Sequence, residues 1–66
     1  MQIWINGTEH RLDGTPTVAD ALSAAGAPER GVAVAVDGDV VPRARWAGHV
    51  LVEGARVEIL TAVQGG

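Results

Sequence analysis

A chain of 66 residues with a formal net charge of −3 and no cysteine has room for one small core and excludes several function classes at once. A domain of this size buries only about 60% of its unfolded surface. Without cysteine it can form no disulfide framework, thiolate metal site or Cys nucleophile. The acidic balance argues against a nucleic-acid binder, which neutralises phosphates with clustered Lys and Arg, and suits a partner with a basic face. At 47% hydrophobic and 20% charged residues, the composition is that of a chain that folds unaided. The basic residues are all arginine, which goes with the high Ala, Val and Gly content and reads as genomic composition. A secretory signal is not expected, because no basic segment followed by an apolar one opens the chain. No apolar stretch approaches the ~20 residues of a membrane span, so a soluble, cytoplasmic protein is the expectation.

In chain order, Gln2-Ile3-Trp4-Ile5 and Thr8 to Leu12 read as two short strands joined at Asn6-Gly7, a pair that accepts the positive φ angles of a tight hairpin turn. Val18, Ala21, Leu22 and Ala25 then fall at i, i+3, i+4 and i+7, which predicts a helix of about two turns. Thr17 suits its N-cap, Asp20 the reciprocal third position and Gly26 the left-handed residue after its end. Gly31 to Val36 alternates valine with small residues and enters a turn at Asp37-Gly38-Asp39, so a strand is predicted with Val32, Val34 and Val36 on one face. Val40-Val41 can pair back only briefly, because Pro42 has no N–H and suits a sheet edge. Arg43 to His49 has no clean period and reads as a turn or single helical turn anchored by Trp46. After a turn at Glu53-Gly54-Ala55, Arg56 to Val63 makes a last strand with Val57 and Ile59 toward the core.

A chain of this order buries its helix by laying it across one face of a mixed sheet, with a right-handed crossover from the first hairpin to the third strand. The last strand fits best in the middle, parallel to the first. This is an α+β, β-grasp (ubiquitin-like) arrangement with a mixed sheet of four to five strands and one main helix. Residues 1–63 form the single domain and 64–66 a flexible Gly-Gly arm.

Conventional active sites are hard to assemble from these residues. His10 and His49 are far apart and neither has a ligand-type neighbour at metal-site spacing, so no metal site is expected. Ser23 is the only serine and lacks a nucleophile-elbow context; it reads as a solvent-side helix residue. A phosphate-binding Walker loop needs a lysine, and there is none. Asp37-Gly38-Asp39 is too short a ligand series for an EF-hand and reads as hairpin chemistry. Arg43, Arg45 and Trp46 read as a structural Trp flanked by solvated arginines rather than a nucleic-acid platform. If Ile3 and Ile5 face the helix, Trp4 lies on the opposite face. Leu60 on the last strand would point outward beside it, giving an exposed apolar docking patch.

Ala62-Val63-Gln64-Gly65-Gly66 runs out of the strand expected at the centre of the sheet and into two glycines. Extended, such a segment spans at most roughly 17 Å, enough to carry a terminal carboxylate into a partner's pocket. Glycine has no Cβ to obstruct a narrow channel.

These residues resemble the ThiS family, the sulfur carrier proteins of thiamin biosynthesis, relatives of ubiquitin and of the small subunit of molybdopterin synthase. The resemblance spans the chain: Met1-Gln2-Ile3 leading to Asn6-Gly7, Thr17-Val18-Ala19-Asp20-Ala21-Leu22, Val34-Ala35-Val36-Asp37-Gly38, Val41-Pro42-Arg43 with Trp46, Glu53 to Ile59, and Val63-Gln64-Gly65-Gly66. Val-Pro-Arg plus Trp, combined with the Gly-Gly end, is its specific part. Ala55 departs from an aspartate common after Glu-Gly, and Gln64 from a frequent third glycine; neither alters the terminal carboxylate.

The resemblance implies a carrier with no catalytic group and no stably bound cofactor of its own. An E1-like adenylyltransferase would use Mg-ATP to adenylylate the Gly66 carboxylate, a sulfur donor protein would displace AMP to leave a thiocarboxylate, and thiazole synthase would receive the sulfur. Gly66 is then the modified residue, Gln64 and Gly65 the arm, and Trp4, Leu60 and Ala62 the docking candidates; neither nucleic acid nor membrane takes part. A sister carrier feeding molybdopterin or cysteine synthesis, and a plain β-grasp interaction module with a frayed end, remain the alternatives at this stage.

Overall fold

The computed structural model describes residues 1–28 and 30–61. The boundary between domain and arm expected at residue 63, and Ala62, Gln64, Gly65 and Gly66 themselves, lie outside the described residues.

The first hairpin forms as its sequence dictates. Strand β1 (Gln2–Ile5) turns through Asn6 and Gly7, at φ 50° and 81°, into strand β2 (Thr8–Arg11), with Ile5 opposite Thr8 and Gln2 opposite Arg11. Two successive positive φ angles give a turn whose twist matches that of the strands it joins.

Helix α1 (Val18–Ala24) starts in a capping box. Thr17 Oγ1 accepts from the Asp20 N–H at 3.2 Å, and Asp20 Oδ2 accepts from the Thr17 N–H at 2.8 Å; such a cap contributes about 1 kcal/mol. Val18, Ala21 and Leu22 are buried as the period requires. Ala25, expected on the same stripe, is exposed. The helix ends at Ala24, Ala25 is its C-cap, and Gly26 at φ 69° turns the chain away before the i+7 position can reach the sheet.

Strand β3 (Val32–Val36) turns at Asp37-Gly38, φ 49° and 89°, into the short strand β4 (Asp39–Val41). A 3-10 turn over Arg43–Arg45 follows Pro42, and Trp46 folds inward from it, 7% exposed. The indole N–H of Trp46 donates to the Val41 carbonyl at 2.9 Å, so the one polar atom of the ring is satisfied inside the core.

Val50 to Val52, which the sequence pattern leaves unassigned, ties the floor of the core together. Val50 bridges Thr17, the Leu51 N–H donates to the Pro16 carbonyl at 2.8 Å, and the Val18 N–H donates to the His49 carbonyl at 2.9 Å. Leu51 is thereby placed among the most buried side chains, with Ile3, Val18, Val34 and Val57.

Strand β5 (Arg56–Thr61) closes the sheet from its centre: the order is β2-β1-β5-β3-β4. It runs parallel to β1 and antiparallel to β3, with α1 on the face that carries Ile3, Ile5, Val34, Val36, Val57 and Ile59. This is the β-grasp arrangement. Ala55, just before β5, is 2% exposed and belongs to the core. Its N–H donates to Val52 at 3.0 Å and its carbonyl accepts from Trp4 at 2.9 Å, so at this position burial takes the place of a polar turn contact. Among the described residues, no helix is long and apolar enough to cross a membrane.

Candidate functional site

The register of the sheet decides what its open face presents. Paired residues in neighbouring strands point the same way, so Trp4, Arg56, Glu58, Leu60, Ala33, Ala35 and Val40 all lie opposite the helix. Trp4 is half-buried between buried Ile3 and Ile5, as strand alternation requires.

Trp4 and Leu60 share this face without forming one patch. The parallel register sets Trp4 beside Arg56, and Leu60 stands four residues further along β5, roughly 13 Å away at strand rise. The neighbour of Trp4 on β2 is Glu9. The ring therefore sits in a charged setting, in a shallow groove with Asn6, Gly7, Arg56, Val57 and Glu58. The expectation that Leu60 stands beside Trp4 fails because β1 ends opposite Val57.

Leu60 instead lies opposite Ala33, next to the row in which Ala35 lies between Glu58 and Val40. Leu60 is 63% and Val40 76% exposed. Together with the two alanines they form an apolar patch with one carboxylate, Glu58, at its margin. Ala33, Ala35 and Val40 were not singled out from sequence. The signal was nevertheless available: if Val32, Val34 and Val36 face the core, Ala33 and Ala35 must face away, and the brief return strand puts Val40 beside Ala35.

Leu60 brings the patch to the end of the sheet where the described residues of β5 stop. Leu60 and Thr61 are the last described residues of β5, with Thr61 opposite Val32 at the start of β3. At this end too lies the Asn6-Gly7 turn. The Asn6 side chain bonds Ile59 twice: Oδ1 accepts from the Ile59 N–H at 2.8 Å and Nδ2 donates to the Ile59 carbonyl at 3.1 Å.

The remaining candidates separate. His10 lies opposite Ile3 on the outer strand, whereas His49 lies in the loop between the 3-10 turn and β5, where its carbonyl accepts from the Val18 N–H. Ser23 is exposed on the helix. No cluster of three metal-binding side chains occurs among the described residues. Asp37 serves the hairpin, its N–H donating to the Arg56 carbonyl at 2.8 Å and its carboxylate accepting the Arg56 N–H at 3.0 Å. What the face offers chemically is recognition: an apolar patch with mixed charge beside it.

Residues 3–66 match the family model described as the ThiS family. The chain belongs to the ThiS family. It is 29% identical over 66 residues to the sulfur carrier protein ThiS of Escherichia coli K12, with all of both chains covered. Its fold is similar to the crystal structure of the thiamine biosynthesis protein ThiS from Geobacter metallireducens, at a TM-score of 0.80 and 29% identity over the whole of both chains. The solution structure of a Geobacter metallireducens thiamine biosynthesis protein gives 0.76 at 30% identity, covering all of this chain and 88% of that one. The ThiS match runs through Gln64, Gly65 and Gly66, so the resemblance seen in the opening strand and the Gly-Gly end holds along the chain.

Proposed function

We propose that this ThiS-family chain is a sulfur carrier for thiazole formation in thiamin biosynthesis, and that Gly66 is its reacting residue. The observation that carries the reading is the family match over residues 3–66, which takes in the Gly-Gly end. The relatives named as a sulfur carrier and as thiamine biosynthesis proteins support it.

The chemistry asks little of the carrier and much of its partners. An E1-like adenylyltransferase joins the Gly66 carboxylate to the AMP part of Mg-ATP and releases pyrophosphate, which turns a poor leaving group into a good one. A persulfide on the sulfur donor protein then attacks the acyl carbon and AMP departs; a thiol cleaves the S–S bond of the resulting acyl disulfide, leaving the thiocarboxylate on Gly66 and a disulfide on the donor. Thiazole synthase receives that sulfur. The chain supplies no acid, base or nucleophile and acts as a substrate of these enzymes rather than as an enzyme, with Mg-ATP belonging to the activating partner. Such ATP-dependent steps suit the cytoplasm.

Gln64 and Gly65 act as the arm that reaches into the adenylation pocket, and the open face docks. Leu60, Ala33, Ala35 and Val40 give the apolar contact, Ala62 is a further docking candidate, and Trp4 marks the far side. Glu58 and the net charge of −3 favour a partner that brings arginine or lysine to the rim, where charge governs association rate and register more than affinity.

Incubation with an adenylyltransferase of this class, Mg-ATP and a sulfur source, followed by mass spectrometry of the intact chain, tests the reading. An oxygen-to-sulfur mass gain located at Gly66 is expected. Its absence, with the fold intact, would sink the proposal.

A further inference from the structure

Asn6 does more than turn the first hairpin. β1 ends at Ile5, opposite Val57, while β5 runs on to Thr61. Past that level Ile59 has β3 on one side, opposite Val34, and the Asn6 side chain on the other. A carboxamide carries a donor and an acceptor much as a peptide unit does. With Oδ1 on the Ile59 N–H at 2.8 Å and Nδ2 on the Ile59 carbonyl at 3.1 Å, one side chain extends the β1–β5 ladder past the end of β1. The Asn6 N–H also donates to the Val57 carbonyl at 2.9 Å, so main chain and side chain hold β5 at two successive positions on that edge. Asparagine suits this place twice over, because it also tolerates the φ of 50° that the turn imposes.

We infer that Asn6 is a positioning residue for activation of Gly66: by clamping Ile59, it holds the outgoing end of β5, from which the chain runs on toward Gly66. The inference rests on the carrier reading above. Gln64, where the arm starts in that reading, is five residues beyond Ile59. A carboxylate delivered from a docked domain on a short arm reacts at a rate set by how often it meets the nucleotide in line. Each residue freed at the root of the arm adds conformations in which it does not. Docking itself uses the open face, whereas the Asn6–Ile59 clamp lies within the plane of the sheet. Loss of the clamp therefore lowers turnover in the docked complex more than it weakens docking.

The test compares Asn6→Gly, which keeps the turn because glycine takes positive φ freely, with Asn6→Asp, which keeps the acceptor and loses the donor. Val18→Ala, a helix core substitution away from the arm, is the control for stability loss alone. Adenylylation kinetics with the activating enzyme should show kcat about tenfold lower for Asn6→Gly at nearly unchanged KM, the fold-change that loss of one such hydrogen-bonded constraint produces. Asn6→Asp should fall between Asn6→Gly and wild type, and Val18→Ala should keep the wild-type kcat at a comparable drop in Tm. Amide exchange at Ile59 should quicken in Asn6→Gly while the rest of the sheet stays protected. An unchanged kcat in Asn6→Gly, a loss confined to KM, or an equal loss in Val18→Ala overturns the inference. If the wild-type chain is itself not adenylylated, the carrier reading fails and this one falls with it.

Discussion

Asp37 and Arg56 hold each other through two hydrogen bonds, the Asp37 N–H to the Arg56 carbonyl at 2.8 Å and the Arg56 N–H to Asp37 Oδ1 at 3.0 Å. This pairs the β3–β4 turn with the first residue of β5, while Asn6 in the other hairpin turn grips Ile59 further along the same strand. The central strand is thus fixed near both ends by a turn residue of Asx type, each at positive φ. Asp37→Ala loses the acceptor and puts a Cβ without compensation in the left-handed region. It should lower the unfolding free energy by about 1–2 kcal/mol. Asp37→Asn keeps both features and should cost less than about 0.5 kcal/mol. Urea titration of the two variants checks the difference; equal losses would mean that the side-chain bond contributes nothing.

Trp46 offers a second separation of packing from hydrogen bonding. Its ring is 7% exposed and its indole N–H meets the Val41 carbonyl at 2.9 Å. Trp46→Phe keeps much of the apolar volume but leaves that carbonyl without its donor, at a cost of about 1–3 kcal/mol. Thermal unfolding should show the loss, and Val41 and its neighbours should shift in an amide correlation spectrum while β1 and β2 do not.

Much of this architecture is legible in the sequence because local signals agree with the global one. Asn6-Gly7 gives the hairpin, Thr17 with Asp20 the helix start, and the alternation of Val34 and Val36 the buried face of β3. What stays hidden depends on contacts remote in sequence. Leu51 is buried because a three-residue extended segment happens to lie against Pro16 and Thr17, a pairing too short to leave a period. Ala25 follows the helical period but falls one residue past the helix end. The open face was readable residue by residue, yet its division into an apolar patch at Leu60 and a charged neighbourhood at Trp4 needed the β1–β5 register. The Asn6–Ile59 clamp was invisible, because turn preference alone already accounts for an asparagine at that position.

The division of the open face predicts unequal effects on partner binding. Leu60→Ala removes exposed apolar surface that the domain core does not use. Stability should stay within about 0.5 kcal/mol of wild type. KM for the carrier in adenylylation should rise about three- to tenfold at unchanged kcat, in keeping with the loss of a side chain buried on docking. Val40→Ser should act in the same direction. Arg56→Ala, beside Trp4, should instead change the dependence of association on ionic strength. Steady-state kinetics at two salt concentrations distinguish these outcomes, and a loss of kcat in Leu60→Ala would place that residue outside a purely docking role.

The sharpest prediction concerns the end of the chain. In the carrier reading the reacting group is a main-chain carboxylate, free of any side chain, at the tip of the Gln64-Gly65-Gly66 arm. One alanine appended after Gly66 would leave every described residue untouched, so stability and spectrum should match wild type. It would turn the Gly66 carboxylate into an amide, move the new carboxylate one residue further out, and put a Cβ beside it. Extended chain advances about 3.3–3.6 Å per residue, more than the tolerance for attack on a bound nucleotide, where a misplacement of about 1 Å already costs on the order of a hundredfold. The extended chain should therefore dock with wild-type affinity and fail to be adenylylated. Pyrophosphate release and competition against the wild-type carrier measure the two properties separately. An extended chain that competes and is still activated at the wild-type rate would show that recognition does not read the terminal carboxylate, and would remove Gly66 from the reaction.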